Sequence, residues 1–481
     1  MTAPAPEMQI DAAELARRTD GAWLTPPGEI SVTTLEIDSR RCGKGSLFIA
    51  LAGQHADGHD FIAAASANGA AAALVSRDPG GARCPLLMVE DVEAALTRLG
   101  AFGRAAHRMT GGHLVAITGS VGKTGSKEML AHMLRHCGGC HANRASFNNH
   151  LGVPLTLAAL PDTPITAVQE IGMNAPGEIR VLSRLAQPDI AVITRIADSH
   201  AGFFDSLDDI AAAKAEIFDG LTAGGTAILN ADDPYFTFLC TRAREAGADR
   251  IISFGTAAVA DARLLDVATD DAGMTVTANL LGTAVTFRMG TRGHHLAHNA
   301  MAMLAAVATL DLDIMQATNS LNEFSDLPGR GAVSTGVLDS MTITLIDDSY
   351  NAGPASMKAA FATLADRAPQ IMVLSDMLEL GDGSAAAHAA LAPAIIALRP
   401  RAVVTIGSQM ATMAASLPAS IEHHAAATPT EATATLRALL RDGDSVFIKG
   451  SNGSGACRVA AALLDDLAAH TGTNGGTSHA A

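Results

Sequence analysis

Residues 113–129, with the sequence HLVAITGSVGKTGSKEM, predict a strand, a glycine-containing turn and a helix in direct succession. Residues 114–117 are β-prone, and residues 126–132 are helix-forming with little Gly or Pro. Between them, Gly119 and Gly122 can adopt backbone angles that residues with a Cβ avoid. The stretch therefore predicts a tight connection from the end of a strand to the start of a helix.

Such a connection favours the binding of a polyphosphate. Successive backbone N–H groups, the positive end of the helix dipole and the Lys123 ammonium would meet at one point, and Thr124 would offer a hydroxyl to Mg²⁺. The spacing G-x-x-G-K-T is shorter than the common G-x-x-x-x-G-K-[ST] loop, so a glycine-rich turn with an ordinary surface lysine is the alternative. The predicted nucleotide-binding residues are Gly119, Ser120, Val121, Gly122, Lys123, Thr124 and Gly125.

Length and composition predict a large α/β protein with several cores. At about 150 residues per domain, 481 residues suggest three domains. The hydrophobic fraction is 48% and the aromatic fraction only 4%, so the cores should be aliphatic.

A formal net charge of -16 argues against a nucleic-acid surface. No stretch approaches the roughly 18 apolar residues of a membrane span and the N-terminus lacks an export pattern, so we expect a cytoplasmic protein whose six cysteines are free thiols.

One cysteine pair has a motif of its own. Residues 137–141, CGGCH, fit the spacing of covalent haem attachment, and a redox or zinc site with His132, His136 or His141 is a further alternative. Haem attachment of this type requires an exported chain, and here the motif falls in the predicted turn that ends the helix after the glycine loop. We therefore expect the pair, Cys137 and Cys140, to serve neither purpose.

The first predicted domain covers residues 1–108. Its predicted elements are strands at 33–37, 46–51 and 72–75 and a helix at 62–70. Ser39 and Arg40 follow the end of one strand, and Asp57, Gly58 and His59 lie on a loop. Loops at strand ends carry ligands more often than core residues do, although a solvated turn with ordinary charges is the alternative.

The second predicted domain covers residues 109–322 and alternates apolar strands with helices, as βαβ crossovers require. Its predicted strands are 114–117, 165–171, 190–194, 226–229 and 250–254, and its predicted helices are 126–136, 177–186 and 207–218. Residues 264–287 turn to β-rich alternation and precede a helix at 299–310. This pattern predicts a mostly parallel, doubly wound sheet whose ligands bind beyond the carboxyl ends of the strands.

The third predicted domain covers residues 323–470 and repeats the α/β alternation. Its predicted strands are 342–346, 370–374, 402–406 and 445–449, and its predicted helices are 354–366, 385–398 and 430–440. Together the three domains give an α/β fold class: a small N-terminal domain, a central P-loop domain and a C-terminal Rossmann-like domain. Residues 471–481 are polar and Gly-rich and predict a disordered tail.

If the glycine loop holds ATP and Mg²⁺, further ligands should lie at strand ends of the same sheet, because Mg²⁺ prefers oxygen ligands. Glu170 ends an apolar strand, His200 follows another, and Lys214 lies in a helix otherwise rich in alanine. Taken singly, each has an ordinary account: a strand-end charge, a loop polar residue and a solvated lysine. Together with the loop they form a pattern.

That pattern, with motifs along most of the chain, resembles the Mur ligase family. The similarity runs from Asp38 to Arg458, and the short G-x-x-G-K-T loop is the form this family uses. The motifs are DSRRCGKGSLFIALAGQHADGH, TGSVGKTGSKEM, FNNHLGVPLTL, EIGMNAPGEI, SHAGFFDSLDDIAAAKAEIF, LNADDP, LPGRG, LIDDSYNAGPASM, LSDMLELGDG and KGSNGSG. The SYNAGPASM and DMLELG motifs favour the member that joins D-alanyl-D-alanine to UDP-N-acetylmuramoyl-tripeptide.

The resemblance implies roles for individual residues. Lys123 would neutralise charge on the γ-phosphoryl group, Thr124 and Glu170 would bind one Mg²⁺, His200 would bind a second metal, and Lys214 would be carbamylated and so become a metal ligand. The implied ATP contacts outside the loop are Asn299 at adenine, Arg330 at the phosphates and Asp348 at the ribose. The implied substrate contacts are Ser39, Arg40, Asp57, Gly58 and His59 for the UDP end, Asn148, Asn149 and Thr156 for the muramoyl part, and Tyr350, Asn351 and Ala352 for the dipeptide.

The implied chemistry is amide formation in two steps, through an acyl phosphate, with ATP and two Mg²⁺ ions. Closure of the third domain would assemble the sites, and a monomer is expected. The chain departs from the family pattern at Gly202, at Leu296 and at Gly455, which affects single contacts and not the reaction class. Rival interpretations are the sibling ligase that adds the third amino acid, a folylpolyglutamate synthase, a P-loop ATPase without ligase activity, and a redox or haem protein.

Overall fold

The computed structural model describes residues 8–53, 56–144, 146–197, 204, 206–270, 272–365, 367–378 and 380–471. Its contacts divide the chain into two compact units. The first unit spans residues 1–196 and 211–324, and the second spans 197–210 and 325–481. Within the described residues, no helix combines the length and apolarity that crossing a bilayer requires.

The first unit begins with a five-stranded sheet in the order β2-β7-β6-β5-β4, parallel except where β2 joins its edge, and a separate antiparallel pair of β1 and β3. Its elements are β1 (Ile10–Asp11), α1 (Ala12–Thr19), β2 (Ala22–Trp23), β3 (Ser31–Val32), β4 (Thr34–Glu36), β5 (Ser46–Ile49), α2 (Ile62–Ala67), β6 (Ala72–Val75), β7 (Leu86–Met88) and α3 (Val92–Met109). Alternate strand residues face opposite sides. Leu47 and Leu74 pack with α1 and α3, whereas Phe48 and Ala73 pack with α2.

The same unit contains a nine-stranded sheet in the order β16-β15-β14-β13-β12-β11-β8-β10-β9. Its elements are β8 (Leu114–Thr118), α4 (Lys123–Cys137), β9 (Cys140–Ala142), α5 (Gly152–Ala158), β10 (Thr166–Glu170), α6 (Glu178–Ala186), β11 (Ile190–Ile193), the residues from 211 onward of α7 (Leu207–Ala215), β12 (Thr226–Asn230), α8 (Phe236–Glu245), β13 (Arg250–Gly255), β14 (Ala262–Asp270), β15 (Gly273–Leu280), β16 (Thr283–Met289), α9 (His294–Thr309) and α10 (Ile314–Ser320). Strands β8 to β14 pair in parallel, and β14, β15 and β16 form an antiparallel meander.

The strand order reverses around β8, which lies between β10 and β11. In doubly wound sheets, such a reversal leaves a crevice beyond the carboxyl ends of the strands, where ligands bind. The loop of residues 119–122 leaves β8 at this crevice. The sheet topology therefore places the glycine loop where a ligand site is expected.

The two sheets of the first unit are connected by close packing of α3 on α5. A Cβ added to Gly103 of α3 would lie 2.1 Å from the Leu157 carbonyl oxygen of α5. Only glycine allows the two backbones to approach so closely. Arg104, the next residue, is buried and donates to the Ala186 carbonyl oxygen at 2.8 Å and to Asp189 at 2.9 Å. Helix α3 therefore belongs to the packing of both sheets.

The second unit is built on a six-stranded sheet in the order β17-β18-β22-β19-β20-β21, parallel except for the antiparallel edge strand β17. Its elements are β17 (Ala332–Leu338), β18 (Met341–Asp348), α11 (Pro354–Thr363), β19 (Ile371–Ser375), α12 (Ser384–Ala389), α13 (Ala392–Leu398), β20 (Ala402–Ile406), α14 (Met410–Ala414), β21 (Glu422–Ala426), α15 (Pro429–Leu439), β22 (Ser445–Lys449) and α16 (Ala456–Thr471). One face packs against α15 and α16, and the other against α11 and α13.

The α/β fold class with mostly parallel sheets is confirmed, but several element bounds differ from the prediction. The helix predicted at 385–398 is two helices, α12 and α13, because Pro393 stands in the first turn of α13 and cannot continue a preceding helix. The helix predicted at 299–310 begins at His294, directly after Gly293. Cys140 begins strand β9 and does not lie in a turn.

Candidate nucleotide and metal site

The glycine loop is held by residues that follow the neighbouring strand β11. The Thr194 hydroxyl donates to the Val121 carbonyl oxygen at 2.6 Å, and the Ser120 N–H donates to the Arg195 carbonyl oxygen at 2.7 Å. Gly122 has φ = 83° and precedes the first residue of α4, Lys123. The loop therefore turns into α4 through a left-handed glycine.

Polar groups of the loop fit a polyphosphate. The Lys123 ammonium lies over the loop and donates to the Gly119 carbonyl oxygen at 2.7 Å. The Ser120 hydroxyl is buried and has no hydrogen-bond partner among the described residues. Because the positive end of α4 also points into the loop, the loop has the features that favour binding of an anion.

The predicted metal carboxylate, Glu170, lies beside the loop at the end of β10. It is 1% exposed, and its Oε2 accepts a hydrogen bond from the Thr124 hydroxyl at 2.7 Å. Its Oε1 accepts one from the Asn148 side-chain amide at 2.6 Å. Thr124 and Glu170, predicted from sequence to share a metal, are thus in direct contact, and the oxygen-rich pair suits Mg²⁺.

Lys214 lies close to this pair on α7. It is 1% exposed, and burial lowers its pKa well below the ordinary value for lysine. The Lys123 cation lowers the pKa further, while the Glu170 carboxylate opposes the shift. Burial beside another cation favours the neutral amine, which is a nucleophile.

The segment that follows Lys214 is tied to the loop before α6. Glu216, two residues later, accepts hydrogen bonds from the backbone N–H of Gly177 at 2.9 Å and of Arg180 at 3.1 Å. This carboxylate caps the N-terminus of α6, which begins at Glu178 within the EIGMNAPGEI motif.

Two other metal sites were considered from the sequence, one at His200 and one at the cysteine motif of residues 137–141. His200 and the neighbouring Gly202 lie outside the described residues. Among the described residues, no group of three or more His, Cys, Asp or Glu side chains is arranged to hold a metal ion. The cysteine motif offers no such group either: Cys137 donates to the Asp313 carbonyl oxygen at 3.6 Å, and burial raises the pKa of Cys140 to about 12.

Sequence reasoning missed two residues that support Glu170. The backbone N–H of Glu170 donates to the Asn143 side-chain oxygen at 2.9 Å. The ammonium of Lys127, which is fully buried in α4, donates to the Asn143 carbonyl oxygen at 2.9 Å. Lys127 lies one helical turn after Lys123, but an isolated lysine in a helix gives no signal of burial in the sequence.

Asn299, the residue predicted to lie near adenine, is adjacent to the glycine loop. A Cβ added to Gly122 would lie 2.8 Å from the Asn299 side-chain nitrogen. The preceding residue, His298, contacts Asp232 of the LNADDP motif at 2.9 Å through Nε2 and packs its ring edge-on against Phe254. Asn299 therefore lies beside the glycine loop, and its contact with adenine remains a prediction.

The residues predicted in the third domain cluster within the second unit, around the end of β18. The Arg330 guanidinium lies 4.2 Å from the centre of the Tyr350 ring. The buried Lys449 ammonium contacts Asp348 at 2.7 Å and the Asn351 carbonyl oxygen at 3.0 Å. The Ala352 carbonyl oxygen, next along the chain, accepts from the Ser451 hydroxyl at 3.2 Å. Lys449 and Ser451 belong to the KGSNGSG motif but were not assigned a role from sequence.

The residues predicted to grip the UDP end lie at the edge of the five-stranded sheet. The Arg40 side chain is paired with Asp38 at 2.7 Å, and Ser39 is buried. His59 is buried, donates through Nδ1 to Asp57 at 2.7 Å and accepts through Nε2 from the Ser76 N–H at 3.0 Å. Both ring nitrogens of His59 are thus engaged by the protein. Gly58 lies between Asp57 and His59 in the chain, and its N–H donates to the Leu51 carbonyl oxygen at 2.7 Å.

Two further predicted substrate residues have local structural partners. The Asn149 side chain accepts from the Gly152 N–H at 2.9 Å, at the start of α5. The Thr156 hydroxyl donates to the Gly152 carbonyl oxygen at 2.8 Å within the same helix. Asn148, between β9 and α5, is the member of this group that reaches Glu170.

A mostly parallel sheet with a glycine loop at its reversal point defines the class of P-loop α/β proteins. Three family models match this chain along most of its length. They are described as the Mur ligase family catalytic domain for residues 31–100, the Mur ligase middle domain for 117–307 and the Mur ligase glutamate ligase domain for 335–452.

Individual relatives extend this similarity. The chain is 33% identical over 448 residues to the UDP-N-acetylmuramoyl-tripeptide--D-alanyl-D-alanine ligase of Bacillus subtilis, covering 91% of this chain and 95% of that protein. It is 32% identical to the ligase of the same name from Escherichia coli, covering 91% and 95%. A crystal structure of MurF from Acinetobacter baumannii superposes with a TM-score of 0.81 at 29% identity, covering 96% of this chain and 100% of that one. The chain belongs to the Mur ligase family, as the sequence resemblance predicted.

Proposed function

We propose that this protein is the ATP-dependent ligase that joins D-alanyl-D-alanine to UDP-N-acetylmuramoyl-tripeptide in peptidoglycan precursor synthesis. The observation that carries the proposal is the similarity over 91% of the chain to a ligase of that name. The glycine loop of residues 119–124, with Lys123 over it, and the buried Thr124–Glu170 pair support the proposed chemistry.

ATP is the proposed energy source. Lys123, the loop N–H groups and the Ser120 hydroxyl would hold its phosphates, and Asn299 would lie at the adenine. Arg330 and Asp348 are proposed to contact the phosphates and the ribose. The chain's contribution here is to orient the γ-phosphoryl group and neutralise its charge, which is the main requirement for phosphoryl transfer.

Two Mg²⁺ ions are proposed as cofactors, with Thr124 and Glu170 at one ion, His200 at the other and Lys214 as a carbamate ligand. When bound, the ions would supply positive charge at the phosphoryl oxygens. The neutral amine favoured at Lys214 is the form that adds to CO₂, since a protonated amine is not nucleophilic. Asn148 and Asn143 hold Glu170 in place through its carboxylate and its backbone.

Three domains are proposed for the two organic substrates and ATP: residues 1–108, 109–322 and 323–470. In this assignment Ser39, Arg40 and residues 57–59 serve the UDP end. Asn148, Asn149 and Thr156 serve the muramoyl part, and Tyr350, Asn351 and Ala352 serve the incoming dipeptide. We further propose that the protein acts as a monomer in the cytoplasm, where ATP is available.

The proposed reaction has two steps. The terminal carboxylate of the tripeptide attacks the γ-phosphorus of ATP, forming an acyl phosphate and releasing ADP. The amine of D-alanyl-D-alanine then attacks the acyl carbon, and phosphate leaves as the amide forms. Positioning by the protein converts both attacks into reactions between bound groups.

The test is phosphate release by the purified protein with ATP and Mg²⁺. The UDP-muramoyl tripeptide and D-alanyl-D-alanine are added singly and then together. In a separate assay the substrates of the sibling ligase are added, which are the UDP-muramoyl dipeptide and either diaminopimelate or lysine. Release that requires the tripeptide with D-alanyl-D-alanine, together with the pentapeptide product by mass spectrometry, supports the proposal. Release that is indifferent to either substrate would identify a P-loop ATPase, and release with the sibling pair alone would identify the sibling ligase.

A further inference from the structure

A buried carboxylate at the end of β4 holds two arginines from different segments of the first unit. Glu36 is 8% exposed. Its Oε1 accepts from Arg144 Nη1 at 2.6 Å, and its Oε2 lies 3.5 Å from Arg41 Nε. Arg41 closes the short turn after β4, whereas Arg144 follows β9 of the other sheet. One carboxylate therefore holds two cations close together.

Both arginines keep a large part of their surface in solvent. The side chain of Arg144 is 53% exposed and that of Arg41 is 59% exposed, while that of Glu36 is only 10% exposed. Each arginine contacts Glu36 through one guanidinium nitrogen. A guanidinium has three nitrogens and five N–H donors. Arg144 is thus held by a hydrogen bond and Arg41 by an ion pair, and both guanidinium groups keep donors that suit phosphate oxygens.

The position of this pair matches the order of groups in the proposed substrate. Ser39 and Arg40, assigned above to the UDP end, directly precede Arg41. Asn148, assigned to the muramoyl part, follows Arg144 by four residues, and the Arg144 carbonyl oxygen accepts from the Phe147 N–H at 3.1 Å in that turn. In a UDP-sugar the diphosphate lies between the uridine and the sugar.

We propose that Arg41 and Arg144, held by Glu36, bind the diphosphate of a nucleotide diphosphate sugar. The proposal rests on the proposed function and adds two binding residues to it. Arg40, although nearby, already donates to both carboxylate oxygens of Asp38, through Nε at 2.9 Å and Nη2 at 2.7 Å. The local charge of Glu36, Asp38 and the three arginines is +1, in a chain whose formal net charge is -16. The pair would therefore attract a dianion locally although the chain as a whole repels it.

The test compares Arg41→Ala, Arg144→Ala and the double variant with Arg242→Ala. Arg242 is a matched control because it forms an ion pair of the same 2.6 Å length with Glu245 on the surface of α8 in the same unit. Each single variant is expected to raise KM for the UDP-muramoyl tripeptide about tenfold, and the double variant about 100-fold, because each removes one charge-assisted contact to phosphate. The values of kcat and of KM for ATP should stay within about twofold of wild type, as should all constants of Arg242→Ala.

Competitive inhibition by UDP and by uridine separates diphosphate binding from a structural role. The variants should weaken inhibition by UDP and leave inhibition by uridine unchanged, and Arg144→Lys, which keeps the charge without the fork, should fall between wild type and Arg144→Ala. Equal weakening of UDP and uridine, or an unchanged KM for the tripeptide, would overturn the proposal and leave a structural ion pair. If the wild-type protein releases phosphate without a UDP substrate, the proposed function is wrong. Inhibition by UDP in the arginine variants then still tests whether Arg41 and Arg144 bind a diphosphate.

Discussion

At the scale of single residues, Lys214 combines complete burial with a neighbouring cation. Protein interiors rarely accept a charged lysine in such a place, so the amine is expected to be neutral and open to carbamylation. We predict that Lys214→Ala lowers kcat by about 100-fold or more, the size of effect seen when metal ligands or their supports are removed. The measurement is steady-state phosphate release with both substrates.

A rescue experiment distinguishes a carbamate from a purely structural lysine. Adding a short carboxylic acid such as acetate should restore part of the activity of Lys214→Ala, because the acid can occupy the space of the carbamate. Wild-type activity should also fall in buffers depleted of CO₂ and recover with bicarbonate. If acetate has no effect on the variant and CO₂ none on wild type, carbamylation is not part of the mechanism.

His107 gives a prediction about pH. It is 0% exposed, donates through Nε2 to the Ile165 carbonyl oxygen at 2.9 Å and faces Arg104 Nη1 at 3.3 Å through Nδ1. Burial, and then the Arg104 charge, lower its pKa below the ordinary 6.5. Between the lowered value and 6.5 the unfolded chain binds more protons than the folded one, so the free energy of unfolding falls as the pH is lowered through this window.

The measurement is urea denaturation at about pH 7.5, 6.0 and 5.0. These values lie on both sides of the unperturbed histidine pKa. His107→Gln should be less stable than wild type at pH 7.5 but lose less stability on acidification. His113→Gln, at a mostly exposed position in the same segment, serves as control and should keep the acid sensitivity of wild type. Parallel curves for wild type and His107→Gln would exclude His107 as the source.

At the scale of structural elements, the left-handed glycine before α4 permits a sharp test. Gly122 has φ = 83°, and Gly443, in the turn before β22, has φ = 82°. A Cβ at Gly122 would meet Asn299 at 2.8 Å, whereas no described atom lies within 4 Å of a Cβ at Gly443. Both alanine variants should lose roughly 1–2 kcal/mol from backbone strain alone.

Gly122→Ala should in addition displace Asn299 and raise KM for ATP about tenfold or more, since small displacements in a site are costly. Gly443→Ala should leave KM for ATP unchanged. Chemical denaturation and ATP titration of both variants measure the two effects separately. An unchanged KM for ATP in Gly122→Ala would mean that Asn299 does not lie at the nucleotide.

Sequence patterns predicted the elements that alternate regularly and missed those that depend on tertiary contacts. Strands such as β20 and β22 match their predicted bounds because continuous apolar runs leave few alternatives. Strand β9 was missed because the residues Cys140–Ala142 carry little β signal and form a strand only by pairing with β10. The break between α12 and α13 could have been predicted from Pro393.

The candidate site was predictable only in part. Thr124 and Glu170 were paired through the family resemblance, and the structure brings them to 2.7 Å. The supports Asn143 and Lys127 could not be predicted, because burial of a lysine by a distant carbonyl group leaves no local pattern. The same holds for Glu36, whose two arginine partners are 5 and 108 residues away in sequence.

At the scale of the whole molecule, separate cores predict separate unfolding. The second unit has two apolar clusters of its own, on the two faces of its sheet, and the first unit has its own clusters around the five-stranded sheet. We predict at least two thermal transitions by calorimetry, because units with independent cores need not unfold together. Gly443→Ala should lower the midpoint of one transition, and Gly122→Ala that of another.

Added ATP and Mg²⁺ provide a second readout of the same prediction. A ligand stabilises the folded form that binds it, so the transition sensitive to Gly122→Ala should move to higher temperature. A single transition shifted equally by both variants would show that the chain unfolds as one cooperative body.

The histidine in the turn after β5 limits how this part of the chain can evolve. His59 presents a donor to Asp57 on one side of its ring and an acceptor to the Ser76 N–H on the other. Few side chains offer both functions at that separation, and an aliphatic replacement would leave two buried polar groups unmatched. Selection from a saturated library at position 59 should therefore return histidine almost alone, because both ring nitrogens have a partner in the protein.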